Sequence, residues 1–251
     1  MIRFSANLGF LWKNLALPDA IRAASKAGFE AVECHWPYDI DPALVKAALD
    51  ETGLPMLGLN TIRGDGNGLS ALVGRETEAR SAIDQAVDYA VAIGAHNIHV
   101  MAGFASGEGA HRTFASNLRY ALARVAGHNI KILIEPLNHH DAPGYFLQTA
   151  DQATEIIAEI NDSELKLMFD CYHLQIMQGD VSRLLHRMLP IIGHIQIAAI
   201  PSRAEPDEGE LDYRHILKHI DAIGYKGFIG AEYHPRSSTE AGLGWRRIAS
   251  Y

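Results

Sequence analysis

The chain has 251 residues, with 22 Lys and Arg against 30 Asp and Glu, a formal net charge of −8, 48% hydrophobic and 21% charged residues. This composition is that of an ordinary globule; its acidic balance repels phosphate backbones and disfavours nucleic acid as the main ligand, and no run of about 18 apolar residues is present to span a membrane. The two cysteines, Cys34 and Cys171, stand far apart and outside any CxxC pattern, which excludes a disulfide scaffold, and the start MIRFSANLGFLWKN lacks the basic and apolar regions of a signal peptide. These features predict a soluble, cytoplasmic protein in a reducing compartment.

Short apolar or β-branched runs alternate with segments of helical period. Arg3–Leu8 predicts the first strand, and Leu17-Pro18-Asp19 opens a helix with proline in its first turn. Ala31–Trp36 is the second strand; Asp41–Thr52 follows as a helix with Leu44, Val45, Ala48 and Leu49 on one face. Pro55–Thr61 precedes the helix Glu76–Ile93, where Ala79, Ile83, Ala86, Val87, Ala90 and Val91 repeat the stripe. Strands at Asn97–Gly103, Lys131–Asn138, Leu165–His173, His194–Ile200 and Phe228–Pro235 alternate with helices that include Asn117–Ala126, Ala150–Ile160 and Tyr213–Ile223. Gly28, Gly53, Gly94 and Gly224 stand where helices end, a left-handed position that glycine fills without a Cβ clash. Eight strand-like and eight helix-like segments in strict alternation predict an α/β fold, a single (β/α)8 TIM barrel over residues 1–251. The alternative, an open doubly wound sheet, lacks a GxGxxG after its first strand.

Functional groups of such a barrel sit at the C-terminal ends of its strands. Glu135, Asp170, Gln196 and Glu232 each fall late in an otherwise apolar strand, in four consecutive strands. One carboxylate at a strand end is usually an ion pair or a helix cap; three converging on one mouth repel strongly unless a cation joins them. Three carboxylates and an amide oxygen are hard ligands, suited to Mg2+ or Mn2+. The 13 histidines are scattered with no HExxH, which gives no zinc signature.

Arg3-Phe4-Ser5-Ala6-Asn7-Leu8, Ile134-Glu135-Pro136-Leu137-Asn138, Phe169-Asp170-Cys171-Tyr172-His173, Gly193-His194-Ile195-Gln196-Ile197-Ala198, Glu232-Tyr233 and Thr239-Glu240-Ala241-Gly242-Leu243 resemble, in order along the whole chain, the hydroxypyruvate isomerase and 2-oxo-tetronate isomerase family, within the xylose-isomerase-like barrels. The resemblance implies one divalent metal ion held by Glu135, Asp170, Gln196 and Glu232, and Glu135 and Glu232 as the acid–base pair of an isomerase acting on a small hydroxy-keto acid or sugar. Such an enzyme moves a carbonyl by one carbon through an enediolate, which a metal and two carboxylates serve well. It further implies that His173 and Arg203 bind substrate, the fork of Arg203 suiting an acid, and that Glu210 orients Arg203 or lines the site. Asn7, Glu33, His35, Trp36, Asn60, His139, His140 and Asp141 are weaker candidates for the substrate wall. The loop 62–70 departs from the family pattern; its glycines suit a lid. A ketose 3-epimerase and a keto-sugar dehydratase are the alternatives on the same barrel, and Gln196 in place of His favours the isomerase. An endonuclease-IV-like phosphodiesterase would need a His-rich multi-metal site and a basic groove. A homo-oligomer is compatible with the sequence, which does not specify one.

Overall fold

The structure, a computed structural model, describes residues 2–249. Eight parallel strands, β1 (Arg3–Asn7), β2 (Ala31–Glu33), β3 (Leu59–Asn60), β4 (Asn97–His99), β5 (Lys131–Ile134), β6 (Leu165–Asp170), β7 (Ile192–Ile197) and β8 (Phe228–Ala231), pair in the order β2-β1-β8-β7-β6-β5-β4-β3. The seam between β2 and β3 is joined by Val32 N–H to Pro55 O (3.0 Å), Leu57 N–H to Val32 O (2.7 Å) and Cys34 N–H to Gly58 O (3.0 Å). Helices α1 (Leu17–Lys26), α2 (Pro42–Thr52), α3 (Glu76–Ile93), α4 (Gly107–Val125), α5 (Ala150–Ile160), α6 (Cys171–Met177), α7 (Val181–Met188), α8 (Tyr213–Ala222) and α9 (Thr239–Gly242) lie between and after the strands. The fold is the TIM barrel that strict alternation predicts.

The helices pack on the barrel through most of the stripe their period defines: Ala79, Ile83, Ala86, Val87 and Ala90 of α3 are buried, as are Val181, Leu184, Leu185 and Met188 of α7, whereas Leu44 of α2 and Val91 of α3, expected in their stripes, sit at the edge and are exposed. Burying a valine, leucine, isoleucine or methionine side chain contributes about 1.5–3 kcal/mol. Among the described residues no helix is long and apolar enough to cross a membrane. Cys34 and Cys171 are free and buried.

Several strands are shorter than their apolar runs. The tilted strands part at the open mouth, and the chain leaves the ladder while its side chains still face the interior. Thus β5 stops at Ile134 and β8 at Ala231, one residue before Glu135 and Glu232; after Glu135, Pro136 has no N–H to donate. Nor does the sixth strand run to His173. It ends at Asp170, whose Oδ1 accepts from Tyr172 N–H (2.8 Å) and caps α6. Helix α4 begins ahead of its predicted start at Asn117, because Gly107 and Gly109 weaken the periodic signal of its first turns.

Candidate active site

The strand ends open on a cleft of about 530 Å3, lined among others by His35, Trp36, His99, Glu135, Asp141, His173, Arg203 and Glu232. Glu135, Asp170, Gln196 and Glu232 are all buried. Each keeps one side-chain oxygen buried and without a hydrogen-bond partner: Glu135 Oε1, Asp170 Oδ2, Gln196 Oε1 and Glu232 Oε2. Ligand atoms of Glu135, Asp170 and His173 lie within 4.8 Å of one another. Glu232 is outside this tight group, because His35 Nε2 (3.0 Å) and Arg203 Nη2 (3.6 Å) engage its Oε1. Gln196 is oriented from behind: its Nε2 donates to Glu33 Oε2 (3.3 Å), so its carbonyl oxygen faces away from Glu33. Glu33 also takes His194 Nε2 at 2.8 Å. Gly230 of β8 makes room for this cluster, since a Cβ there would collide with the Glu33 carboxylate.

The electrostatics are those of crowded carboxylates. Burial, then Glu232 and Asp170, raise Glu135 well above the ordinary carboxylate range. Burial and Glu232 push Asp170 up to about 7. Burial acts on Glu232 too, but the hydrogen bond from His35 and the charge of Arg203 outweigh it and hold this carboxylate below its ordinary range. His173 accepts Asn138 N–H on Nδ1 (3.0 Å), and burial with the nearby Arg203 holds it neutral. The neutral ring then carries its proton on Nε2, 3.6 Å from Asp170 Oδ2. His173 is therefore a hydrogen-bond donor into the site, with no lone pair left for a metal.

Arg203 follows β7 in a left-handed conformation (φ 52°), fixed by its N–H to Ala199 O (2.8 Å) and by His234 N–H to its own carbonyl (2.8 Å). Its guanidinium lies between the rings of Phe10 (4.8 Å) and Tyr172 (4.9 Å). It pairs with Asp141 Oδ2 (3.3 Å) and reaches toward Asp170 Oδ2 (3.8 Å) and Glu232 Oε1; its Nε is buried without a partner.

Two predicted contacts do not form. Glu210 is exposed, is not part of the cleft lining, and makes no contact with Arg203; its backbone N–H bonds Ile200 O (2.9 Å) and the loop carries its side chain outward. Asp141 takes the role expected of it. Asn7 is buried beneath the cleft rather than in its wall, its Oδ1 accepting from Gly9 N–H (2.9 Å) to hold the turn after β1. His35, Trp36, Asn60 and Asp141 do line the cleft, whereas His139 and His140 are not in its lining. His99 was not singled out by the sequence reading. It ends β4, is 2% exposed, has no hydrogen-bond partner on either ring nitrogen, and stands 3.4 Å from Glu135 Oε2. Burial lowers its pKa to about 4, so it is a neutral wall beside a carboxylate. A histidine inside the apolar run Ile98–Met101 was the available signal. Phe10, likewise unpredicted, packs edge-on against His35 (5.2 Å) and His234 (4.3 Å).

These residues fit a divalent cation. Four buried oxygens without donors, three of them from carboxylates of which Glu135 and Asp170 are pushed toward protonation by burial and by their charged neighbours, form a hard-ligand set that a cation would satisfy.

A carboxylate-rich centre at the C-terminal mouth of a (β/α)8 barrel is the setting of sugar-isomerase chemistry. Residues 21–249 match the model of the xylose isomerase-like TIM barrel family, and the chain belongs to that family. Within it, the chain is 44% identical to a 2-oxo-tetronate isomerase of Cupriavidus necator, over 98% of this chain and 97% of that one. It is 41% identical to a putative hydroxypyruvate isomerase of Homo sapiens, over 98% and 94%. A solved structure from Brucella melitensis, described as an AP endonuclease of family 2, superposes with a TM-score of 0.95 at 38% identity, over 100% of this chain and 99% of that one.

Proposed function

We infer that this protein is a metal-dependent isomerase of a small hydroxy-keto acid, converting hydroxypyruvate to tartronate semialdehyde or 2-oxo-tetronate to 3-oxo-tetronate through an enediolate. The observation that carries the reading is the set of four buried, unpartnered oxygens of Glu135, Asp170, Gln196 and Glu232 beside the cleft. The names of the relatives support the substrate class.

Glu135, Asp170, Gln196 and Glu232 would hold one Mg2+ or Mn2+, which when bound polarises the carbonyl and offsets the negative charge that develops on the two reacting oxygens. The remaining work falls to the side chains. Glu232, kept ionised by His35 and Arg203, takes the proton from the hydroxyl-bearing carbon. The hydroxyl proton passes to the neighbouring oxygen, and Glu135 returns a proton to the adjoining carbon. His173 donates from Nε2–H to a substrate oxygen, and Arg203, through its unpaired Nε and its fork, meets the polar end of the acid. His99, Phe10 and Trp36 limit water around the reacting carbons.

The test is incubation with hydroxypyruvate and with 2-oxo-tetronate in deuterated water with Mg2+ or Mn2+, followed by product identification by NMR. Isomer formation with deuterium at the newly protonated carbon is expected. Recovery of 2-oxo-tetronate inverted at C3 as the sole product, or loss of water from it, would assign the barrel to epimerase or dehydratase chemistry instead.

A further inference from the structure

The chemistry above uses only the floor of the cleft. A keto acid of about nine non-hydrogen atoms, each given at most the roughly 30 Å3 of a liquid water, fills about half of the space, while the cleft holds about 530 Å3. The cleft is lined as well by Pro37 and Ile40, and two of its three cations, Lys13 and Arg63, take no part in that chemistry. The third, Arg203, is engaged by Asp141, Asp170 and Glu232. Lys13 and Arg63 are exposed and make no ion pair among the described residues.

Arg63 is presented rather than loose. Its Nε donates to Oδ1 of the buried Asn67 (2.9 Å), and its carbonyl accepts from Gly68 N–H (2.8 Å). Its guanidinium lies 5.8 Å from the Trp36 ring, whose Nε1 is tied to Thr61 O (3.1 Å). The loop itself is stapled to the chain after β4 by Ser70 N–H to Met101 O (3.3 Å) and Ala71 N–H to Ala102 O (2.7 Å). Its Gly68 (φ 108°) is there for close approach, since a Cβ would strike the Met101 carbonyl. The 62–70 segment, whose glycines suit a lid, lies along the cleft here and leaves both terminal nitrogens of Arg63 without a hydrogen-bond partner among the described residues. The floor, by contrast, gathers Glu135, Asp170, Glu232 and Asp141, and a divalent cation with Arg203 does not make it positive. An anion on the far end of a substrate is repelled inward and attracted outward.

We propose that Arg63 and Lys13 form a second subsite at the rim, which binds a distal anionic group, a carboxylate or a phosphate, at the far end of a substrate longer than the reacting carbons. For the reacting end this rests on the isomerase reading.

The test is calorimetric binding, with Mg2+ present and at low salt, of an unreactive four-carbon aldonate, its terminal phosphate ester, and the corresponding aldarate. The protein is compared with Arg63→Gln and Lys13→Gln. The unmodified protein is expected to bind at least one doubly anionic ligand about tenfold more tightly than the aldonate, as one charge-assisted pair at a screened rim allows. Arg63→Gln reduces that advantage to about twofold and leaves aldonate affinity and melting temperature unchanged; Lys13→Gln has the same effect to a smaller degree. An advantage for the ester alone identifies a phosphate, and for the aldarate alone a carboxylate; for both, it identifies charge as the feature read. Equal affinity for all three ligands, or an advantage surviving in both variants, overturns the proposal. If no keto acid is turned over yet the Arg63-dependent advantage persists, the isomerase reading falls and the rim subsite stands; turnover without the advantage gives the reverse.

Discussion

Substituting Asp170 by Asn should stabilise the metal-free protein while destroying its function. In the folded chain Asp170 titrates at about 7, against 3.8 for an ordinary aspartate. Between those values the folded state binds more protons than the unfolded one, so the stability of the metal-free protein falls as pH rises from about 4 to 7 and is lowest above it. A difference of about three pH units corresponds to at most roughly 4 kcal/mol at pH 8. Asparagine keeps the Oδ1 that caps α6 at Tyr172 N–H and removes the buried charge. A gain of about 1–3 kcal/mol is therefore expected, part of that upper bound, because the amide still leaves polar atoms buried. For a chain of this size that is a rise of about 2–12 °C in melting temperature in EDTA at pH 8. At pH 5 the two proteins should melt much closer together. Saturating Mn2+ should shrink or reverse the difference, because a ligand at a hundred times its Kd adds about 2.7 kcal/mol to the protein that binds it and less to one that binds it more weakly. A variant no more stable than the unmodified protein in EDTA at pH 8 would refute the reasoning.

Three further outcomes follow from the same geometry. Glu135→Gln and Glu232→Gln should each lower kcat for the keto acid by about a thousandfold or more with the fold retained by circular dichroism, and full activity in either would remove it from the acid–base pair. Glu33→Ala should weaken Mn2+ binding about tenfold, since the acceptor that aims the Gln196 amide is lost; unchanged affinity would show that Gln196 needs no such support. Arg203→Ala should raise KM for hydroxypyruvate much more than for a neutral ketose, and equal effects on both would assign the guanidinium to holding Asp170 and Glu232 rather than to reading an acid.

The barrel and the four strand-end oxygens were legible because they obey periodic rules: apolar alternation sets the strands, and a polar side chain late in an apolar strand must face the mouth. The ends of strands were less so, because Glu135 and Glu232 stand one residue past the strand ends while their neighbours stay buried. Pairings across the mouth were not legible. Nothing local tells that His35 will meet Glu232, that Asp141 rather than Glu210 will meet Arg203, or that Phe10 and Tyr172 will enclose it; these depend on loops from distant parts of the chain. His173 was assigned to a strand because Asp170-Cys171-Tyr172-His173 continues an apolar run, whereas the capping bond of Asp170 turns the chain into a helix at that point.

The central claim is that four oxygens share one cation. Mn2+ binding followed by electron paramagnetic resonance tests it most directly, in the unmodified protein and in Glu135→Gln, Asp170→Asn, Gln196→Ala and Glu232→Gln. One tightly bound Mn2+ per chain, with affinity reduced at least tenfold in every variant, is the predicted result. No stoichiometric Mn2+, or binding that all four substitutions leave intact, would contradict it.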